Sequence, residues 1–503
     1  MTASYRSLNS RRRAARFAAS IIVFAGVAIA LPAQTFTTLH SFDGTDGYEP
    51  SAPLVQATNG DFYGTTNTGG ANGVGGTVFK ITPSGTLTTL YNFCSQGGSR
   101  CTDGYYPEDA GLVQATNGDL YGTTEGGGVV PPDTIPGGTV FKITPGGALT
   151  TLYSFGSQQG VTGAFPFSGL VQATNGDLYG TTVQGSAGGG AGTIFKITPS
   201  GALTALYTFC AQVNCADGEY PYAPLVQATN GYFYGTTNIG GAYGSGTVFK
   251  ITPSGTLTTL YNFCAQSGCL DGDDSLTGLV QAANGDLYGT TYQGGDNGVG
   301  TVFKITPSGT LTTLYSFGAQ ANRADGFYPA GALIQATDGN FYGTTSSGGT
   351  PSGNGSNRYS GTVFKITPAG ALTTLYSFCT QSECADGSGP TAGLVQATNG
   401  DFYGTTAAGG VNGGYGTVFR LSVGLGPFVE LQTTSGKVGA RVKILGNNLT
   451  HASSVTFNET AAVFTASASE ITTTVPTGAT AGTVQVVTEG GTLSSNVPFR
   501  VTP

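Results

Sequence analysis

The residues with most chemistry to offer are eight cysteines and a recurring Asp-Gly step. The cysteines form four close pairs, Cys94/Cys101, Cys210/Cys215, Cys264/Cys269 and Cys379/Cys384. An even number at short separations predicts local disulfides if the chain reaches an oxidising compartment. Zinc is disfavoured, because no histidine lies near any pair and none has the C-x-x-C spacing. The Asp-Gly steps stand at Asp46, Asp103, Asp217, Asp271, Asp325 and Asp386, with Thr162-Gly163 in one further copy. Aromatic residues follow several of them, among them Tyr48, Tyr105, Tyr106, Tyr220, Phe327 and Tyr328. Asp-Gly is first of all a turn former whose carboxylate caps local amides. The functional alternative is a ring of carboxylates near a channel mouth, with Asp273 and Asp274 making Asp271–Asp274 its densest part. Such a ring would take Ca²⁺ or a cationic or hydroxyl-rich ligand. The D-x-D-x-D-G spacing of a calcium loop is absent, so no dedicated metal site is expected. Ca²⁺ is the only cofactor for which the pattern leaves room.

The catalytic inventory is thin. The two histidines are His40 and His451, and no nucleophile elbow, P-loop or H-E-x-x-H occurs. Paired carboxylates can do acid/base work on glycosides, but no pair stands out from the turn pattern. The chain has no Trp, which weakens a sugar-stacking site, though tyrosine can substitute. A non-catalytic protein is expected.

These residues are carried by a repeat. LVQATNGDLYGTT, a Gly-rich loop and GTVFKITPGGALTTLYSF occupy Leu112 to Phe155, and related blocks run from Leu54 to Val423. The Asn-Gly or Asp-Gly turn recurs at Asn59, Asn117, Asn175, Asn230, Asn284, Asp338 and Asn399. Four short strand-forming runs per unit predict a β-propeller blade. In one unit they are strand a (Leu112 to Thr116), b (Asp119 to Thr124), c (Gly138 to Thr144) and d (Leu149 to Phe155). A Gly after the Tyr of each strand b (Gly64, Gly122 and their copies) predicts close approach, expected from the adjacent blade. The seventh unit lacks strand d, while Phe36–Phe42 matches LTTLYSF with nothing before it. The N-terminal strand is therefore expected to complete blade seven and close the ring. The a–b and c–d turns then share one face and are short. The b–c and d–a loops share the other, vary in length, and make that face the candidate functional one. The basic residue of strand c (Lys80, Lys142 and copies) is expected to pair with the acid of strand b (Asp61, Asp119 and copies).

Residues 1–33 read as an export signal: five arginines, an apolar run from Phe17 to Leu31, and Leu31-Pro32-Ala33 before Gln34. Those five belong to the 19 basic residues of the chain and none of its 27 acidic ones lies there, so removal takes the net charge from −8 to −13. Such a surface excludes nucleic acid as a partner. A membrane partner is expected only if the N-terminal segment stays uncleaved, and the oligomeric state is not written in the sequence. From Pro427 the repeat stops and short alternating runs predict a small β-sandwich.

The pattern GLVQATNGDLYGTT…GTVFKITP…LTTLYSF resembles the bacterial extracytoplasmic GloVer (Gloeobacter/Verrucomicrobia) tandem repeat, over about residues 36 to 423. The resemblance implies export and a surface or secreted location but no particular activity. Ser435 to Leu449 (SGKVGARVKILGNNL), with Val455-Thr456-Phe457-Asn458, Val475 to Ala479 and Gly490-Gly491-Thr492, is similar to an IPT/TIG immunoglobulin-like domain, used by exported proteins as a spacer or interaction module. The expected organisation is all-β: signal peptide 1–33, a seven-bladed β-propeller over 34–423 closed by its N-terminal strand, and an immunoglobulin-like sandwich over 428–503. The expected role is an extracytoplasmic binding or adhesion scaffold for a glycan or protein, with a surface-layer or matrix component and a polysaccharide-acting propeller enzyme as the alternatives.

Overall fold

The computed structural model describes residues 34–96, 101–107, 111–131, 135–156, 162–185, 190–350 and 360–502. The expected export signal lies outside them, as does the middle of the longest b–c loop. Seven antiparallel four-stranded sheets account for the repeats. In sheet two the strands are Val113–Gln114, Leu120–Thr124, Pro136–Ile143 and Leu149–Gly156. Strand a is shorter than its sequence run. Its ladder ends where the Asn117-Gly118 turn begins: the Ala115 N–H donates to Asp119 O (2.9 Å), and Gly118, at φ 92°, donates to Ala115 O (2.8 Å). That positive φ is why Gly follows Asn here.

Sheet seven is completed from the other end of the chain. Thr35–Ser41 pairs antiparallel with Thr417–Ser422, outside Phe402–Thr406 and Val395–Gln396. Apolar side chains fill one cluster between each sheet and the next. Ala57, Tyr63, Val78 and Phe93 of sheet one meet Leu112, Leu120, Phe141 and Ile143 of sheet two. The seventh cluster joins Phe42, Ala397, Tyr403 and Val418 to Leu54, Phe62, Phe79 and Ile81, so sheet seven packs on sheet one and the ring is closed. The glycine of strand b fits a different contact from the expected one. A Cβ on Gly122 would stand 2.7 Å from Phe141 Cζ and 2.9 Å from Leu112 Cδ2, both in its own sheet. The tip of the strand-c Phe ring occupies the space a side chain would need there.

A second ring, of hydrogen bonds, runs round the inner strands. Gln114 Oε1 accepts the N–H of Thr58 in the preceding sheet (2.9 Å), Gln172 that of Thr116 (2.9 Å), and so on to Gln56, which accepts from Thr398 (3.0 Å). Every sheet takes part. Nearer the loop face the inner segments touch: a Cβ on Gly169 would meet Gly111 O at 2.9 Å, and one on Gly111 would meet Pro53 Cγ at 2.7 Å.

Residues 428–502 form two four-stranded sheets and a two-stranded parallel pair, Ser435–Lys437 with Arg500–Thr502, around one core that includes Leu431, Val442, Ile444, Val455, Phe457, Val484 and Phe499. This unit rests on the a–b turn face. Phe428 N–H donates to Thr398 O (3.0 Å), Asn447 Nδ2 to Thr398 Oγ1 (2.7 Å), Ser469 Oγ to Thr58 O (2.7 Å) and Arg500 Nη1 to Thr229 O (2.8 Å). Those threonines each follow the inner strand of sheets seven, one and four. A body touching all three lies across the axis and leaves the loop face uncovered.

Candidate functional site: a tyrosine and carboxylate rim on the loop face

The cysteines behave as their spacing predicts. Cys94–Cys101, Cys210–Cys215, Cys264–Cys269 and Cys379–Cys384 are disulfide-bonded, and no described cysteine is free. Each bridge closes a short turn in a d–a loop.

The carboxylate ring is corrected. Asp103, Asp217, Asp271, Asp325 and Asp386 are fully buried. Each accepts a hydrogen bond from the tyrosine of the preceding outer strand d: Tyr91, Tyr207, Tyr261, Tyr315 and Tyr376, at 2.8 to 2.9 Å. Loop amides complete the set, as Ala211 (3.0 Å) and Gln212 (3.2 Å) do for Asp217. A carboxylate taken out of water needs several donors; four of the five have them on both oxygens, while Asp103 takes three on Oδ2 and leaves Oδ1 without a partner among the described residues. Burial, then the adjacent Asp, pushes the hydroxyls of Tyr207, Tyr261 and Tyr315 up, which keeps them donors. The five aspartates pin the loop to the outer strand and present no oxygen to a ligand. Asp46 is the variant at the closing strand, where His40 fills the tyrosine position and its Nε2 lies 2.6 Å from Asp46 Oδ2. Among the described residues, the one trio with metal-binding spacing is Cys210, Cys215 and Glu219, and both sulfurs are already bonded to each other.

Asp273 and Asp274 sit elsewhere. Asp273 N–H donates to Gln293 O across an isolated bridge. Asp274 holds a left-handed backbone, φ 61°, and belongs to a set that sequence reasoning missed. The second residue after each Asp-Gly or Thr-Gly step is left-handed in all seven loops: Glu49, Tyr106, Phe165, Tyr220, Asp274, Tyr328 and Gly389, at φ 54° to 62°. The backbone of this residue joins two sheets. Tyr328 donates its N–H to Val299 O of sheet five and accepts the N–H of Ser346 at the end of strand b in sheet six. Glycine does this in one copy, at Gly389. A Cβ in that conformation costs about 1–2 kcal/mol, and six copies carry one.

Those side chains gather with residues from the ends of strands b. The Tyr328 ring stacks on Tyr292 (4.6 Å, 11°), and Tyr222 meets Phe167 edge-on (5.4 Å). Asp274 Oδ1 accepts from Asn238 Nδ2, and Oδ2 from Gln293 Nε2 at 3.1 Å. Burial raises the Asp274 carboxyl above the usual carboxylate range, with Asp273 adding to it against the Gln293 bond. Burial chiefly, then Tyr220, Asp274 and Glu125, raises the Tyr222 hydroxyl. Glu125 comes from sheet two and the Asp274 loop leads into sheet five. The sector over sheets four to six gathers tyrosines and a carboxylate into a rim on the loop face. Around it the loops expose apolar side chains: Val74 (60%), Val129 (69%), Val213 (84%), Tyr243 (58%) and Val411 (72%). Among the described residues of the ring, the one large exposed apolar side chain outside these loops is Tyr232.

The repeat and its loops define an all-β, propeller-like protein. The chain belongs to the Gloeobacter/Verrucomicrobia repeat family, whose pattern matches residues 25–216, 99–280 and 210–381, and it carries an IPT/TIG domain at residues 428–501. No curated protein matches it. Among solved structures it is similar to the periplasmic gluconolactonase of Pseudomonas aeruginosa (15% identity, 69% of this chain and 94% of that one, TM-score 0.39). It is also similar to an α-L-arabinanase of Penicillium chrysogenum (12% identity, 78% and 99%, TM-score 0.39).

Proposed function

We propose that the chain is a seven-bladed β-propeller over residues 34–423, closed by its N-terminal strand and carrying an immunoglobulin-like sandwich over residues 428–503. It acts outside the cytoplasm as a non-catalytic binding scaffold once residues 1–33 are removed. Four disulfides support an oxidising location, and among the described residues no helix is long and apolar enough to cross a membrane. The ligand, an extracellular glycan or protein, meets the d–a and b–c loop face at the rim of Asp274, Tyr220, Tyr222, Tyr292 and Tyr328. The observation that carries this reading is the retention of side chains at six left-handed positions that glycine would fill without strain. Strain kept at the loop mouth of a rigid scaffold, with exposed apolar side chains around it, supports recognition there.

The test is a glycan and extracellular-protein binding array on the secreted chain, in Ca²⁺ and in chelator, with Asp274→Asn and Tyr328→Ala variants. Saturable binding weakened at least tenfold by either variant is expected. Binding that both variants leave intact contradicts the rim. No binding together with concentration-dependent self-association favours a matrix role, for which the exposed valines of the same face are the supporting feature.

A further inference from the structure

The C-terminal domain and the ring enclose a second cleft, of about 170 Å³, lined by Thr116, Gln432, Thr433, Arg441 and Lys443. Strand Arg441–Leu445 turns Val442 and Ile444 into the domain core. Alternation therefore sends Arg441 and Lys443 to the opposite face, towards the ring. Thr116 lies in the a–b turn of sheet two. The charge here is not balanced. Lys443 Nζ is 3.1 Å from Glu470 Oε2, but among the described residues Arg441 has no ion pair or side-chain hydrogen bond. The acid of that a–b turn, Asp119, is taken by Lys142 at 3.7 Å and by Asn117 at 3.3 Å. An acidic protein thus holds a guanidinium in an interdomain cleft with two hydroxyls, an amide and an ammonium, while the local carboxylates, Glu470 and Asp119, are bonded to other groups.

We infer that this cleft is an oxyanion subsite, separate from the loop-face rim and on the opposite side of the ring. Arg441 supplies a planar fork suited to a carboxylate or sulfate. Lys443, paired with Glu470, adds a further N–H donor, and Thr116, Thr433 and Gln432 offer neutral hydrogen bonds. The volume is below that of drug-sized ligand pockets, so it admits one charged group or one sugar acid rather than a chain lying lengthwise. Such a group could be a free inorganic anion or the uronic acid unit of an acidic polysaccharide, and the experiment separates them.

Titration calorimetry on the purified full-length chain would use sodium sulfate, galacturonate, polygalacturonate and, as the neutral control, galactose. Oxyanion binding without galactose binding is expected. Arg441→Gln should weaken it at least tenfold, and Arg441→Lys, which keeps charge but loses the fork, by an intermediate factor. Arg441 is exposed on the strand surface, so unchanged melting of these variants keeps the comparison clean. Sulfate binding alone assigns the site to an inorganic ion, and galacturonate binding to a sugar acid. No binding by any of the three anions, or binding that Arg441→Gln and Lys443→Gln leave unchanged, overturns the inference.

Discussion

At the level of single residues, aspartate has two separate uses in these loops. The aspartate of each Asp-Gly step is an internal cap, whereas Asp274, left-handed two places after its step, belongs to the proposed rim. Asp217→Asn should destabilise the ring by about 2 kcal/mol, the scale for a buried charged acceptor losing its donors. Rim binding per folded molecule should stay unchanged, which chemical denaturation and the array read separately. The sequence made the Asp-Gly step legible but not its direction. The dipeptide turns the chain the same way whether its carboxylate enters the core or points out, and only Tyr91 and its copies, ten or so residues earlier, decide. The left-handed set was not legible at all. Glu, Tyr, Phe, Asp and Gly share no composition, and their common φ comes from bridging two sheets.

Strands and loops show where repetition is kept and where it is broken. The closing strand replaces the tyrosine–aspartate bond of its copies with His40–Asp46. His40→Tyr should therefore be tolerated, with an unchanged or higher melting temperature. His40→Ala should lower stability by about 1 kcal/mol; a large loss in the tyrosine variant would contradict the equivalence. In the C-terminal domain, burial pushes the Glu430 carboxyl from its usual 4.5 up to about 7. The folded state then binds the proton more tightly than the unfolded chain does. This contribution is fully present below about pH 4.5 and is lost as pH rises towards 7. Urea denaturation between those values should show stability falling with pH, and Glu430→Gln should flatten that trend. The strand pattern and the four disulfides were readable because period and spacing encode them directly. The Gln56–Gln396 ring was visible as a repeated VQATNG but silent as to partner, since a glutamine's acceptor geometry appears only when the next sheet is in place.

For the whole molecule, closure and coverage set where function can be. The N-terminal strand seals sheet seven with Phe42 fully buried against Phe79 of sheet one. Phe42→Ala should cost about 3–5 kcal/mol and speed hydrogen exchange first in Thr35–Ser41 and Thr417–Ser422. Loss confined to distant sheets would mean that the seam is not the weak point. With the C-terminal domain across the a–b turn face, the face left uncovered is that of the loops. The sequence foresaw a ring closed by its own N-terminus, from a missing strand at one end and a spare one at the other. It did not foresee the docked domain, because the contacts run through the hydroxyls and carbonyls of threonines that look alike in every repeat.

The most direct measurement is the unfolding free energy of a Tyr220→Gly, Asp274→Gly and Tyr328→Gly series, combined stepwise, alongside rim binding. If these side chains are kept for recognition, glycine relieves left-handed strain, and stability should hold or rise by up to about 1 kcal/mol per site while binding falls away. A loss of more than about 1 kcal/mol at each site, with binding retained, would show that the side chains serve the fold and would contradict the rim.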